Sequence, residues 1–157
     1  MIRVGLGVDA HAFEPRRALI LGGVAVPDAP GLAGHSDADV LSHAIADALL
    51  GAAGLGDLGS SFPATERWRD ASSLEILSET ARLLSDQGWG IGNLDATIIA
   101  EAPRLAPLIT EMKAKVSRAL SIDDVLVSVK VTSTDGLGFV GRGEGLAAIA
   151  VALIEKH

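Results

Sequence analysis

Residues 2 to 10, Ile2-Arg3-Val4-Gly5-Leu6-Gly7-Val8-Asp9-Ala10, limit the fold more than any other segment. The run is apolar and rich in branched side chains, and it reads as a buried strand. It nevertheless carries glycines at positions 5 and 7, which a strand's period of two places on one face. A strand gives up side chains on one face where another backbone has to come very close. The fold must therefore supply an element that packs directly on that glycine face.

The spacing of apolar residues supplies candidates. Ser36 with Asp39 forms a capping-box pattern ahead of a helix from about residue 37 to residue 53, faced by Leu41, Ile45, Ala48 and Leu49 and stopped by Gly54 and Gly56. A Gly/Pro-punctuated excursion, residues 18 to 31, separates it from the first strand. A second helix, Ser73 to Gln87, is capped by Ser72 with Glu75, faced by Leu74, Leu77, Ala81 and Leu84, and closed by Gly88. Leu94 to Ala100 reads as a strand. Pro103 fits the first turn of a third helix carrying Leu105, Leu108, Met112, Val116 and Ala119 at helical spacing. Val125, Val127, Val129 and Val131 alternate as a strand. Gly145 to Glu155 has helix-favouring alanines, but its length and glycine-rich lead indicate a buried strand. Strands and helices interleaved without strict alternation predict an α/β chain of the α+β type: two layers, a mixed β-sheet with helices packed on one face. The 157 residues make one domain.

Composition removes several functional classes. Thirteen Lys and Arg against 20 Asp and Glu give a net charge of −7, and aromatic residues are 3% of the chain. Nucleic acid, which needs basic patches and stacking rings, is not an expected partner. The longest apolar run, Leu146 to Ile154, is too short to span a bilayer, and no signal-peptide core is complete before Asp9 and His11. The absence of cysteine excludes disulfides, thiolate metal sites and a cysteine nucleophile, and suits a cytoplasmic location. Any metal must be held by His, Asp or Glu.

Three of the four histidines, His11, His35 and His43, fall close together, and the fourth is the terminal His157. Asp9 and His11 are two apart on a strand and leave the same face. With His43 on the following helix they form a three-ligand set with an open fourth position, the arrangement of catalytic zinc. Asp39 and Asp47 flank His43 at i−4 and i+4, and either can orient the imidazole. The alternative reading makes His11 a surface residue and His43 a hydrogen-bonded helix histidine.

Residues 54 to 59 and 136 to 141 both match G-x-G-x-x-G. The first follows a helix and reads as a helix stop; the second leaves too little chain for a dinucleotide fold. Thr132-Ser133-Thr134-Asp135 ahead of the second run places three hydroxyls and a carboxylate at a strand end beside freed backbone amides, a set able to hold phosphate oxygens and Mg²⁺. A surface loop is the other reading, and Arg142 with Glu144 fits a surface ion pair. Asp57 and the stretch Phe62-Pro63-Ala64-Thr65-Glu66 read on their own as a turn between helices. The stretch 100 to 104 joins a strand to a helix start.

Taken together, Gly7-Val8-Asp9-Ala10-His11, Ala33-Gly34-His35-Ser36-Asp37-Ala38-Asp39-Val40, Leu41-Ser42-His43-Ala44, Asp47 to Gly51, Gly56-Asp57-Leu58-Gly59, Ala102-Pro103-Arg104 and Gly136 to Gly145 resemble the 2-C-methyl-D-erythritol 2,4-cyclodiphosphate synthase family, in order and spacing, over nearly the whole chain. The resemblance implies an enzyme of the non-mevalonate isoprenoid (MEP) pathway. It would close 4-diphosphocytidyl-2-C-methyl-D-erythritol 2-phosphate into a cyclic diphosphate and expel CMP, a cyclising phosphorus–oxygen lyase. It implies zinc, one ion per chain, on Asp9, His11 and His43, with Asp47 behind the ligands. Mg²⁺ or Mn²⁺ would enter with substrate on Asp135. His35 and Ser133 would stabilise the transition state. Substrate contacts would come from Ser36, Asp57, Leu58, Gly59 and residues 62 to 66; from Ala100, Glu101, Ala102, Pro103, Arg104, Leu105 and Ala106 around the cytosine; and from Thr132, Thr134, Phe139 and Arg142. A homotrimer with active sites between subunits is also implied.

The substrate's own 2-phosphate is the nucleophile in such a reaction, so no protein nucleophile is required, which agrees with a chain lacking cysteine. The chain departs from the family at three places. Thr132-Ser133-Thr134-Asp135 stands where Thr-Thr-Thr-Glu is frequent, Ala64 replaces an acid found in some members, and Arg104 replaces the frequent lysine. Two rival functions are a zinc-dependent phosphohydrolase on the same three ligands and a non-catalytic trimeric anion-binding module.

Overall fold

The computed structural model describes residues 1–156; His157 lies outside the described residues. The first strand, β1 (Ile2–Glu14), is followed by a two-stranded hairpin, β2 (Leu19–Leu21) with β3 (Val24–Val26), in the segment with the glycine and proline punctuation. The short β4 (Gly31–Leu32) then leads to helix α1 (Val40–Ala53), the one-turn helix α2 (Leu58–Ser61) and helix α3 (Ser73–Asp86). After β5 (Gly90–Ile99) come helix α4 (Ile109–Leu120), β6 (Val127–Thr132), the one-turn α5 (Gly138–Gly141) and β7 (Gly145–Glu155). Five strands form a mixed sheet in the order β4-β1-β7-β5-β6. β7 is antiparallel to both β1 and β5, and β5 runs parallel to β6. The mixed sheet and the segregated helices are those expected of the α+β type.

The glycine face of β1 meets α1. A Cβ on Gly5 would lie 2.0 Å from the carbonyl oxygen of Ala48, and one on Gly7 would lie 1.9 Å from that of Ala44. The helix answers with Ala44, Ala48 and Ala52, one per turn, all buried. Small residues on both elements let the two backbones touch, and this fixes the position of α1 on the sheet. Twelve of its 14 residues are buried, because the sheet covers one side and α3 packs on another. Leu41, Ile45 and Leu49 join Leu77 and Leu84 of α3 and Met112 and Val116 of α4 in the core.

Four expectations need correction. The first strand is buried on one face only: Ile2, Val4, Leu6 and Val8 point outward and are 57–66% exposed, since all the long helices lie on the other side. Helix α1 begins at Val40, with Asp39 and not Ser36 as its cap. Ala38 sits at φ 56°, outside the helical region, and the Asp39 carboxylate accepts the Ser42 N–H at 3.0 Å. The third helix starts later than predicted: Pro103 precedes it, and a 3₁₀ turn, Ala106–Leu108, with Pro107 in its first turn leads into α4. Val125 belongs to an exposed 3₁₀ turn, so β6 begins at Val127.

Candidate metal centre and surrounding cavities

Asp9 and His11 leave β1 on the face that carries Gly5 and Gly7, and His43 lies in the first turn of α1, one residue before Ala44. Close packing at Gly7 is what brings them together. Asp9 Oδ2 is 2.7 Å from His11 Nε2 and 3.1 Å from His43 Nδ1, and the two ring nitrogens are 3.2 Å apart. Among the described residues this is the one cluster of three or more side chains able to hold a metal.

Hydrogen bonds on the far side of each ring assign the facing atoms. His11 Nδ1 is 2.7 Å from the Ala33 carbonyl, which can only accept, so Nδ1 carries a hydrogen and Nε2 is the nitrogen turned toward Asp9 and His43. His43 Nε2 lies 3.0 Å from Ser73 Oγ and 3.1 Å from Ser36 Oγ, and its Nδ1 faces the cluster. Burial works to raise the Asp9 carboxyl, yet hydrogen bonds and charge from the two histidines hold it well below the usual carboxylate range. Burial likewise opposes charge on His11, and the hydrogen bond and charge of Asp9 outweigh it, so His11 titrates above its ordinary value. A carboxylate oxygen and two ring nitrogens this close also form a donor set for a cation. A divalent cation of tetrahedral preference fits two imidazole nitrogens and one carboxylate oxygen, with a fourth position open.

The cluster opens into a cavity of about 260 Å³ lined by His35, Ser36, Leu58, Gly59, Phe62 and Ala64 together with Asp9, His11 and His43. Six residues predicted from the resemblance thus meet at one place. Trp68 and Ile76 also line it, and neither was marked by sequence. Asp57 caps α2 by accepting the Ser60 N–H at 2.7 Å. Pro63, Thr65 and Glu66 are exposed, and Glu66 pairs with Arg69 at 2.7 Å.

Asp47 does not hydrogen-bond to His43 as expected. Its carboxylate accepts the Leu58 N–H at 2.6 Å and so braces the start of α2, while Asp39 is taken up by Gly22, Gly23 and Ser42. The partners of the His43 ring are the serines. Ser73 sits in the first turn of a different helix, where only its polarity next to the predicted cap distinguished it.

The other predicted residues form a second group. Glu101, Ala102 and Pro103 line a cavity of about 300 Å³ with Phe13, Ala29 and Val140. Ala100 and Leu105 are buried among the core residues, Leu105 at 2% exposure, whereas Arg104 and Ala106 are exposed. The Glu101 carboxylate accepts from Thr134 N at 2.8 Å, Thr134 Oγ1 at 2.9 Å and Gly136 N at 3.2 Å, tying this segment to the 132–136 turn. Asp135 stands at φ 52° and accepts from Ser133 Oγ at 3.2 Å, with Thr132 beside them exposed. Phe139 borders a cavity beside His11, and Arg142 is engaged with Glu144 at 2.8 Å. Neither Asp135 nor any of residues 100 to 106 lines the metal-cluster cavity.

Comparison with known proteins gives this geometry a class. The sequence pattern of the YgbB family matches residues 2–155. The chain belongs to that family. A 2-C-methyl-D-erythritol 2,4-cyclodiphosphate synthase of Alkaliphilus oremlandii is 54% identical over 156 residues, 99% of each chain, and one of Listeria monocytogenes serovar 1/2a is 51% identical over 99% of this chain and 100% of its own. Among solved structures, the bifunctional IspDF of Campylobacter jejuni superposes with a TM-score of 0.95 at 37% identity, over 100% of this chain and 43% of that one. A Plasmodium falciparum IspF complex with CDP gives 0.86 at 31% identity, over 99% and 97%.

Proposed function

We infer that this chain is a cyclising lyase of the MEP isoprenoid pathway, converting 4-diphosphocytidyl-2-C-methyl-D-erythritol 2-phosphate to 2-C-methyl-D-erythritol 2,4-cyclodiphosphate and CMP. The observation that carries this reading is the convergence of Asp9, His11 and His43 on one open point, beside His35 and Ser36, in a chain about 50% identical to curated synthases from end to end. Residues 1 to 157 act as one cyclodiphosphate synthase domain.

In the reaction, an oxygen of the 2-phosphate bonds to the β-phosphorus, the bridge to the α-phosphorus breaks, and CMP departs with the electron pair. Asp9, His11 and His43 would hold zinc and Asp135 the Mg²⁺ or Mn²⁺ that enters with substrate; when bound, these cations polarise and position the phosphates. His35 donates from the cavity wall toward the developing phosphoryl charge, and the Ser133 hydroxyl does so from the 132–136 turn. Leu58, Gly59, Phe62 and Ala64 supply an apolar wall for the erythritol, with Asp57, Pro63, Thr65 and Glu66 at its rim. Residues 100 to 106 take the cytosine, with Thr132, Thr134, Phe139 and Arg142 beside the phosphates. The chain's task is to align two phosphates and exclude water, which proximity alone makes worth several orders of magnitude in rate.

The active form is a homotrimer with sites between subunits. Two features support this. The groups that face zinc and those that face the nucleotide line separate cavities of one chain, and the outer face of β1 presents Ile2, Val4, Leu6 and Val8 next to Ile149 and Val151 of β7, an apolar surface of the kind that another copy covers. Among the described residues no helix is long and apolar enough to cross a membrane, and a cytoplasmic place suits the reaction.

The test is incubation with the diphosphocytidyl substrate and Mg²⁺. CMP and the cyclic diphosphate are expected in equal amounts. Linear phosphate products carrying solvent oxygen would establish the phosphohydrolase instead, and binding without CMP release would establish the anion-binding module.

A further inference from the structure

We propose that Ser73 and Asp37 are positioning residues that set the tautomer and ring angle of His43. This rests on the reading of Asp9, His11 and His43 as a zinc site. His43 is 7% exposed and Ser73 is fully buried, so the groups around the imidazole are fixed by packing and not by solvent. Ser73 meets Asp37 twice: its hydroxyl donates to Oδ1, and its backbone N–H donates to Oδ2 at 2.9 Å. With its one hydrogen given to Asp37, the Ser73 oxygen can only accept. The neighbour at 3.0 Å is His43 Nε2, so that nitrogen must carry a hydrogen, and Nδ1, facing Asp9 and His11, is the ring atom left for a cation.

Ser36 is the competing partner, at 3.1 Å from the same nitrogen. Its situation differs in two ways. Its oxygen already accepts the Ala38 N–H at 3.3 Å, and its side chain lines the cavity, where its hydroxyl hydrogen can turn toward a bound ligand. Ser73 borders no such space and is clamped by a carboxylate on both of its donors. The carboxylate–hydroxyl–imidazole chain therefore aims the ring, while Ser36 remains available to substrate. The Asp37 backbone N–H also donates to the Ala71 carbonyl at 3.1 Å, so this segment is tied to the start of α3, and α3 to the metal ligand on α1.

The experiment uses full-length protein in two measurements. In ¹⁵N-labelled, chelator-treated protein, long-range ¹H–¹⁵N spectra should show a hydrogen on His43 Nε2 and one on His11 Nδ1. A His43 with its hydrogen on Nδ1 and none on Nε2 would overturn the proposal. Zinc dissociation constants, measured by competition with a chromophoric chelator, should rise 10- to 100-fold in Ser73→Ala, about the range for losing an outer partner of a metal-bound histidine. Ser36→Ala should change them less than about threefold. His11 should keep its Nδ1–H signal in Ser73→Ala, which separates loss of aim from loss of fold. The reverse ranking of the two serines would assign the role to Ser36 and refute the proposal. Should Ser73→Ala fail to fold, Asp37→Asn keeps the volume and is read the same way, with unchanged zinc affinity and tautomer counting against the relay. Wild-type protein that takes up no zinc would defeat the zinc reading, and the tautomer would still decide whether Ser73 orients His43.

Discussion

Gly7→Ala should damage stability and the proposed zinc site together. The added methyl would sit 1.9 Å from the Ala44 carbonyl oxygen and 2.6 Å from the Ala48 nitrogen, whereas real Cβ atoms essentially never come within 3.0 Å of a neighbour. Both obstructing atoms are main chain, so no rotamer change relieves the clash, and β1 and α1 must part by about 1 Å. Overpacking usually costs about 1–3 kcal/mol, and the top of that range applies because α1 also anchors Leu41, Ile45 and Leu49 in the core. For a chain of this size about 3 kcal/mol lowers Tm by roughly 6–12 °C. Asp9 lies two residues beyond the substitution and His43 one residue before Ala44, so the same displacement separates the ligands, while zinc sites tolerate about 0.2 Å. Zinc affinity should therefore fall by at least about 100-fold. Gly51→Ala is the control: it lies in the same helix with nothing within 4 Å of the new methyl, and should stabilise by about 0.5–1 kcal/mol. Denaturant unfolding and zinc competition on both variants check the argument. A Gly7→Ala protein within about 0.5 kcal/mol of wild type and with full zinc affinity would refute it.

Asp39→Ala should cost about 4 kcal/mol, because it removes a buried helix cap and strands the amides of Gly22, Gly23 and Ser42; urea unfolding reads the loss, and a change under 1 kcal/mol would show that water replaces the carboxylate. The bonds from Gly136 and Thr134 hold Glu101 below the ordinary 4.5, so its grip on the 132–136 turn should persist at pH 4.5 and be lost as pH falls through the lower value. NMR titration of the Glu101 carboxyl with the Thr134 amide tests this, and a midpoint at or above 4.5 contradicts it. If the proposed trimer with sites between subunits holds, mixing His43→Ala with Asp135→Ala chains after dissociation should restore about a quarter of wild-type activity, since random assembly pairs the two intact halves at one interface in four. No recovery in verified mixed trimers would place both residues in one chain's site.

Much of this protein is legible from short-range pattern. A period of two places Gly5, Gly7, Asp9 and His11 on one face, and the helical repeat of Leu41, Ile45 and Leu49 calls for a helix nearby; together these bring Asp9, His11 and His43 within reach of one another. The roles of His35, Ser36, Gly59 and Phe62 come from family likeness, because pattern alone makes Ser36 a helix cap, Gly59 part of a helix stop and residues 62 to 66 a turn. Tertiary structure decided the rest. The cap of α1 moved from Ser36 to Asp39 because Gly22 and Gly23, from a hairpin distant in sequence, share that carboxylate. Asp47 turned away from His43 because the Leu58 amide took it, and Ser73, 30 residues along the chain, became the imidazole's partner. Periodicity fixes which way a side chain leaves its own element, but a buried polar atom bonds to whatever the folded chain brings within 3 Å, and that choice belongs to the packing of separate elements.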